Sequence, residues 1–271
     1  MSKLLQARRT MQAGLGLALA FALSLAAAPP ATAANACSRP ITVATGQWEP
    51  YSYYDAQGRF TGIDADMVRA IFVEAGCTLL ELGSMPASRN MTLFFRGEID
   101  MMTGASLTAE RLKGARFSLP YRGETVGLFF VADGSARFRD IRSFDDFLAH
   151  QSLSMLAPRV GYYGPIYEKY QASLLGAKRL SQFIDFPQGM RMLAARRGDF
   201  MLGDAAGVEH AAARQGIKVQ PLPFWLVESQ VHLMFSRATV PEADVRRIDA
   251  AILRLQKRQV FERIRQRYGG M

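Results

Sequence analysis

The 271-residue chain is poor in the residues and motifs that usually mark catalysis. Only three histidines occur, His150, His210 and His232, far apart and without metal-ligand spacing. No HExxH zinc motif, no GxSxG nucleophile elbow and no P-loop is present. Gly14-Leu15-Gly16 lies inside the N-terminal apolar run, where it cannot cradle a dinucleotide. A single imidazole with no partner is a weak general base, so each histidine reads as a surface or partly buried polar residue. No run of lysine and arginine marks a nucleic-acid tract. The chain is therefore expected to need no metal or cofactor, to bind no nucleic acid, and to act by binding rather than as an enzyme.

Long apolar runs are equally scarce, with one exception at the start. Lys3, Arg8 and Arg9 precede an apolar stretch, Ala13 to Ala28, followed by Pro29-Pro30-Ala31-Thr32-Ala33. A positive segment, an apolar segment and a small-x-small site in that order form an export signal. The run falls short of the ~20 apolar residues of a membrane-spanning helix and is half alanine and glycine. Cleavage is expected after Ala33 or Ala36, leaving a periplasmic chain. Loss of residues 1–33 removes three positive charges and no negative one, so the formal charge falls from +9 to +6. That moderate excess describes a solvated basic surface with a preference for anionic or zwitterionic partners.

Cysteine is limited to Cys37 and Cys77. In an oxidising compartment a lone pair usually forms one disulfide. Two buried free thiols are the alternative, and Ala36 before Cys37 leaves lipid attachment as a third.

What is present is a rhythm of strands and helices. Strands are expected at Ile41–Ala44, Thr78–Leu82, Ile99–Thr103, Leu153–Leu156, Phe200–Leu202 and Val231–Phe235. Helical periodicity covers Asp64–Ala75, Arg89–Phe95, Pro165–Leu175, Gly189–Arg197 and Val208–Arg214. A long amphipathic helix from Pro241 to Tyr268, striped by Ile248, Ile252, Leu255, Phe261, Ile264 and Tyr268, closes the chain. Strands separated by helices imply an α/β protein with parallel sheets covered on both faces. The rhythm runs twice, which predicts two lobes with a cleft between them.

Four segments are suited to holding a small zwitterion. Trp48 and Tyr51 follow the end of a strand, where ligands of α/β sheets bind, although either ring could equally pack in the core. In Gly104-Ala105-Ser106-Leu107-Thr108-Ala109-Glu110-Arg111 a buried strand meets a threonine N-cap and an arginine in the first helical turn. Arginine there opposes the helix dipole, which suggests a guanidinium reserved for a carboxylate; a surface ion pair is the competing use. Val160-Gly161-Tyr162-Tyr163-Gly164-Pro165 is a glycine-bounded turn ahead of a helix. Asp204 ends a strand, placed either to accept from an ammonium or to cap the next helix.

These stretches resemble the family 3 extracytoplasmic solute-binding proteins, receptors of bacterial ABC importers. The matching segments are WEPYSYYDAQGRFTGIDADMVRAI, GEIDMMTGASLTAERLKGARFSLPY, RRGDFMLGD and the closing helix, in the family's order over nearly the whole mature chain. The resemblance implies a two-lobed, type II periplasmic-binding-protein fold of the Venus-flytrap kind. Residues 1–33 would be the signal, 34–124 with 229–271 one lobe, and 125–228 the other. The family's T-x-x-R clamp falls on Thr108 and Arg111. Arg111 would then hold an α-carboxylate with Ser106 assisting, and Asp204 would take the α-ammonium. Trp48 and Tyr51 would frame the side chain, with Tyr162 and Tyr163 opposite.

Two departures from the family pattern bear on the ligand. Gly104, two residues before Ser106, can offer only backbone to a ligand. Met85-Pro86-Ala87-Ser88-Arg89 resembles a sub-branch with P-x-x-R and a cysteine pair, whose ligands are less uniform. With Arg89 facing the cleft, an acidic side chain or a dicarboxylate would fit. The implied function is a monomeric periplasmic receptor that passes an amino acid or small carboxylate to an inner-membrane ABC permease. The alternatives are a periplasmic dehydratase acting on prephenate-like acids, with Glu49 or Glu228 as its acid, and a sensor without transport.

Overall fold

The chain is ordered around strands whose apolar residues alternate or run together according to how they are covered. The computed structural model describes residues 36–269; the expected export segment, 1–33, lies outside them. The first half comprises β1 (Ile41–Thr45), the two-residue strands β2 (Tyr53–Tyr54) and β3 (Phe60–Thr61), α1 (Ile63–Ala75), β4 (Leu79–Ser84), α2 (Ala87–Phe95), β5 (Met101–Ser106), α3 (Ala109–Gly114), β6 (Ala115–Phe117) and β7 (Arg122–Val131). After a 3-10 turn at Ala132–Phe138 come α4 (Phe144–Ala149), β8 (Met155–Pro158), α5 (Pro165–Gly176), β9 (Leu180–Phe183), α6 (Phe186–Ala194), β10 (Phe200–Asp204) and α7 (Ala205–Arg214). The long strand β11 (Val219–Ser236) and two helices, α8 (Glu242–Lys257) and α9 (Val260–Arg267), complete it.

One sheet carries nine strands in the order β4-β1-β5-β11-β7-β10-β8-β9, with β6 paired to β11. Its two wings are parallel, as the alternation of strands and helices requires: β1 with β4 and β5, and β8 with β9 and β10. The centre differs from the expected all-parallel arrangement. β11 runs antiparallel to β5, β6 and β7, and β7 antiparallel to β10. At 18 residues β11 is long enough to serve both wings, pairing with β7 from Val219 to Val231 and with β5 from Val231 to Phe235.

Apolar burial divides along the chain. One core draws on residues between Ile41 and Tyr121 and between Val231 and Ile264, with α1 packed against α8. Two others draw on residues between Val126 and Leu226. Trp48 touches the first core and one of the others.

The expected closing helix is two helices. Gln259, with φ 55°, adopts the left-handed conformation and separates α8 from α9. The apolar stripe survives the break, since Ile248, Ile252, Leu255, Phe261 and Ile264 are all buried. Beyond α9 the Tyr268 hydroxyl donates to Asp66 (2.9 Å) and accepts from the Gly62 amide (3.1 Å), tying the C-terminus to the start of α1. At the other end of α1, Cys37 and Cys77 form a disulfide with a Cα–Cα distance of 4.9 Å. Both thiols are thereby committed, which answers the free-thiol and lipid alternatives for Cys37. Among the described residues no helix is long and apolar enough to cross a membrane.

Candidate functional site

The aromatic loop after β1 is held by the start of α1. The Tyr51 carbonyl accepts from the amides of Asp64 (2.8 Å) and Ala65 (3.2 Å), and the Pro50 carbonyl from Ile63 (3.0 Å). Gly62 makes this approach possible: at φ 122° a Cβ there would sit 2.3 Å from the Tyr51 carbonyl oxygen. Tyr51 is consequently buried, with Trp48 edge-on at 5.5 Å. Its hydroxyl donates to Oδ1 of Asp204 at 2.5 Å.

Asp204 sits where β10 becomes α7 and serves as the cap of that helix, the second of the two uses foreseen for it. Its Oδ1 accepts from the Gly207 amide at 3.0 Å as a helix N-cap, and also from Tyr51. The carboxylate is 2 % exposed. Burial raises its pKa, against the Arg122 charge and the bonds from Tyr51 and Gly207.

Beneath the loop lies a buried ion pair. Arg122, at the start of β7, binds Asp64 of α1 through Nε–Oδ1 (2.6 Å) and Nη2–Oδ2 (3.1 Å). Both side chains are almost fully buried. The guanidinium also lies 3.8 Å from the centre of the Tyr51 ring, a cation–π contact in a desolvated setting. Gly104, at φ 60°, lies against this pair: a Cβ would come within 3.1 Å of Asp64 Oδ2 and 3.3 Å of Arg122 Nη2. Its amide donates to the Tyr121 hydroxyl at 2.8 Å.

The T-x-x-R segment folds as its spacing requires. Thr108 caps α3 by accepting from the Arg111 amide (3.3 Å), which places Arg111 on the first turn. Its side chain turns back, and Nη1 donates to the Ser106 carbonyl at 2.8 Å. Burial lowers the Arg111 pKa, with Glu124 and Glu168 opposing. No carboxylate lies within salt-bridge distance of it among the described residues.

Glu124 is the residue that the sequence reading missed. It lies two positions after Arg122 on β7, so both side chains share a face of the strand with Val126, and Val126 is the register partner of Asp204. Glu124 Oε2 accepts from the Ser106 hydroxyl at 3.4 Å. Burial pushes its pKa up to about 7, the Arg122 charge opposing and Asp204 and Asp64 adding to the rise. The available signal was an Arg-x-Glu-x-Val alternation, which puts two charged side chains on the inner face of a strand.

A cleft of about 390 Å³ opens beside these groups. It is lined by Ser106 and Leu107 after β5, Tyr162 and Pro165 at the start of α5, and the Leu226–Gln230 stretch of β11. Ser229 pairs with Glu124 across the strands, and Glu228 reaches the cleft wall. Its volume falls within the range of small-molecule sites.

Of the expected site residues, Ser106 and Tyr162 line this cleft, and Arg111 is bonded to the Ser106 carbonyl beside it. Tyr51, Asp204, Gly104 and Trp48 form a second group around the Arg122–Asp64 pair, and Glu124 links the two. Tyr163 is buried, edge-on to Tyr167 at 6.2 Å, and its pKa is raised by burial and by the nearby charges of Glu124 and Asp204. Arg89 is exposed on α2. Glu49, considered earlier as an acid, instead meets His210 Nε2 of α7 at 3.0 Å. No cluster of metal-ligating side chains occurs among the described residues.

The arrangement matches known proteins at three levels. A stretch of 104 residues, 37% of this chain, is 30% identical to cyclohexadienyl dehydratase from Pseudomonas aeruginosa and spans 38% of that enzyme's length. The fold is that of the arginine-, lysine-, histidine-binding protein ArtJ from Geobacillus stearothermophilus, with TM-score 0.69 and 17% identity over 86% of this chain and 96% of that one. It is also that of a histidine kinase sensor domain similar to periplasmic binding proteins, with TM-score 0.69 and 20% identity over 84% of this chain and 95% of that one. The model of the bacterial extracellular solute-binding proteins, family 3, matches residues 41–271. The chain belongs to that family and has the mixed α/β, type II periplasmic-binding-protein fold.

Proposed function

We propose that the protein captures a small zwitterion, an α-amino acid, in the cleft beside Ser106. The observation that carries this reading is Arg111. A partly buried guanidinium with no carboxylate partner, bonded only to a carbonyl, has lost part of its hydration without an ion pair to replace it. An arriving carboxylate would restore that pairing through bidentate geometry. The second group holds the complementary charge. Both hydrogen bonds that Asp204 accepts go to Oδ1, leaving Oδ2 for an ammonium. In this reading residues 34–124 with 229–271 form one lobe and 125–228 the other, and closure of the hinge encloses the solute. Delivery from the periplasm to an ABC permease is the physiological role that fits a binding protein of this family.

The test is a thermal-shift screen of amino acids and small carboxylates on the chain from residue 34, followed by calorimetry. A true ligand raises the melting temperature by mass action. Arg111→Ala should abolish the shift, and unchanged affinity in that variant would remove Arg111 from the site.

A second reading has its own observation. Glu124, with its pKa pushed up to about 7, is a buried carboxylic acid able to hold a proton at neutrality. A dehydratase needs such a general acid, and the aligned stretch of the Pseudomonas enzyme gives this reading its chemical class. Turnover of a cyclohexadienyl acid by the purified chain, lost in Glu124→Gln, would establish it. No turnover would dispose of it.

A further inference from the structure

We propose that Glu124 is the specificity-determining residue of the cleft, selecting an amino acid whose side chain carries a second positive charge. This rests on the zwitterion reading above and deepens it.

The charges gathered around Ser106 and Tyr51 do not cancel. Asp64 and Arg122 neutralise each other through two hydrogen bonds. Three ionisable groups remain: Arg111 from α3, Asp204 from β10 and Glu124 from β7. A simple zwitterion answers two of them, its carboxylate pairing with Arg111 and its ammonium with Asp204. Glu124 is then left with the Ser106 hydroxyl at 3.4 Å, a long bond for a buried carboxylate. The other groups around it do not help. Arg122 on its own strand is committed to Asp64, and Asp204 and Asp64 repel it. Tyr163 and Glu228, from the turn before α5 and from β11, bring no positive charge. Arg111 is the other cation nearby, and the ligand carboxylate claims it.

Two outcomes follow for the free acid. With a neutral amino acid Glu124 keeps its proton. With a cationic side chain beside it, the proton leaves and a charge-assisted bond forms in a water-poor site. Binding of a cationic ligand is therefore linked to proton release, and binding of a neutral one is not. The empty-site pKa of about 7 against an ordinary 4.5 fixes the window. If the bound value returns to the ordinary one, affinity for a cationic ligand rises about 30-fold between pH 5.5 and pH 8.

The experiment is isothermal titration of the chain from residue 34 with L-lysine, L-arginine and L-glutamine, at pH 6 and pH 8.5, in two buffers of different ionisation heat. The expected result at pH 6 is release of about one proton with the cationic ligands and almost none with L-glutamine. At pH 8.5 release should vanish and the cationic ligands should bind at least about tenfold more tightly than L-glutamine. E124Q, with its fold checked by circular dichroism, should lose both the preference for the cationic pair and the proton release. Tight, Arg111-dependent binding of L-glutamine with no preference for the cationic pair would overturn this proposal and leave the zwitterion reading standing. Absence of binding by any amino acid would sink both.

Discussion

Replacing Asp64 by asparagine removes one charge from the most deeply buried ion pair among the described residues. Arg122 would keep its position under Tyr51, but its guanidinium would face an amide in place of a carboxylate. Both partners are nearly inaccessible, and the pair is joined at 2.6 and 3.1 Å, so water cannot take over the lost interaction. Breaking a buried pair from one side costs about 3–5 kcal/mol, because the surviving charge stays desolvated. For a domain of this size that corresponds to a fall in melting temperature of roughly 6–20 °C. Urea unfolding followed by circular dichroism should show a lower midpoint at an unchanged slope. The companion variant, Asp64→Leu with Arg122→Met, removes both charges and should recover most of the loss. A cost below about 1 kcal/mol for Asp64→Asn would refute the claim that this charge is uncompensated without its partner. A double variant as unstable as the single one would refute the assignment of the cost to desolvation.

Three further perturbations test other parts of the structure. Because burial raises the Glu124 pKa to about 7, the empty protein should lose up to about 3 kcal/mol from this group as pH rises from 4.5 through 7. Glu124→Gln should therefore unfold at higher urea than the wild type at pH 8 and at a similar concentration at pH 4. Asp100 behaves oppositely: burial would raise its pKa, but bonds from Arg39, Thr239 and Thr42 outweigh burial and hold it at about 2. Its contribution, about 2 kcal/mol, is present above pH 4 and lost as pH falls through 2, so Asp100→Asn should lower stability at pH 7 and flatten the acid limb. Reducing the Cys37–Cys77 bridge, which closes a separation of 40 residues, should cost about 4 kcal/mol in the chain-entropy model, read as a lower melting temperature in reductant.

Much of this architecture is legible in the sequence because it is local. Thr108 three residues ahead of Arg111 is a cap spacing, and Asp204 after an apolar strand is a cap position; both are set within a few residues. The apolar stripe of α8 and α9 is equally plain, but the break between them is not. Gln259 takes a left-handed conformation without the glycine or proline that would announce it. The strand β9, Leu180–Phe183, is a four-residue piece whose pattern matches no template by itself. The antiparallel centre of the sheet was hidden because β7 and β11 are defined by pairing across about a hundred residues rather than by their own composition. Glu124 was missed for the same reason. Nothing within its neighbours on the chain raises its pKa; the cause is burial, with Asp204 and Asp64 adding to the rise from distant places in the sequence. Arg122 itself follows Leu119-Pro120-Tyr121, where a lone arginine reads as surface until the fold brings Asp64 beneath it.

The central claim is that Arg111 waits for a ligand carboxylate, and calorimetry on the chain from residue 34 tests it most directly. The best amino-acid ligand from the screen would be titrated into the wild type, Arg111→Lys and Arg111→Ala at one pH and salt concentration. Loss of a charge-assisted, bidentate contact predicts at least about a hundredfold weaker binding in Arg111→Ala, with Arg111→Lys intermediate because a point charge replaces a planar fork. Equal affinity in all three proteins, with their folds intact, would contradict it.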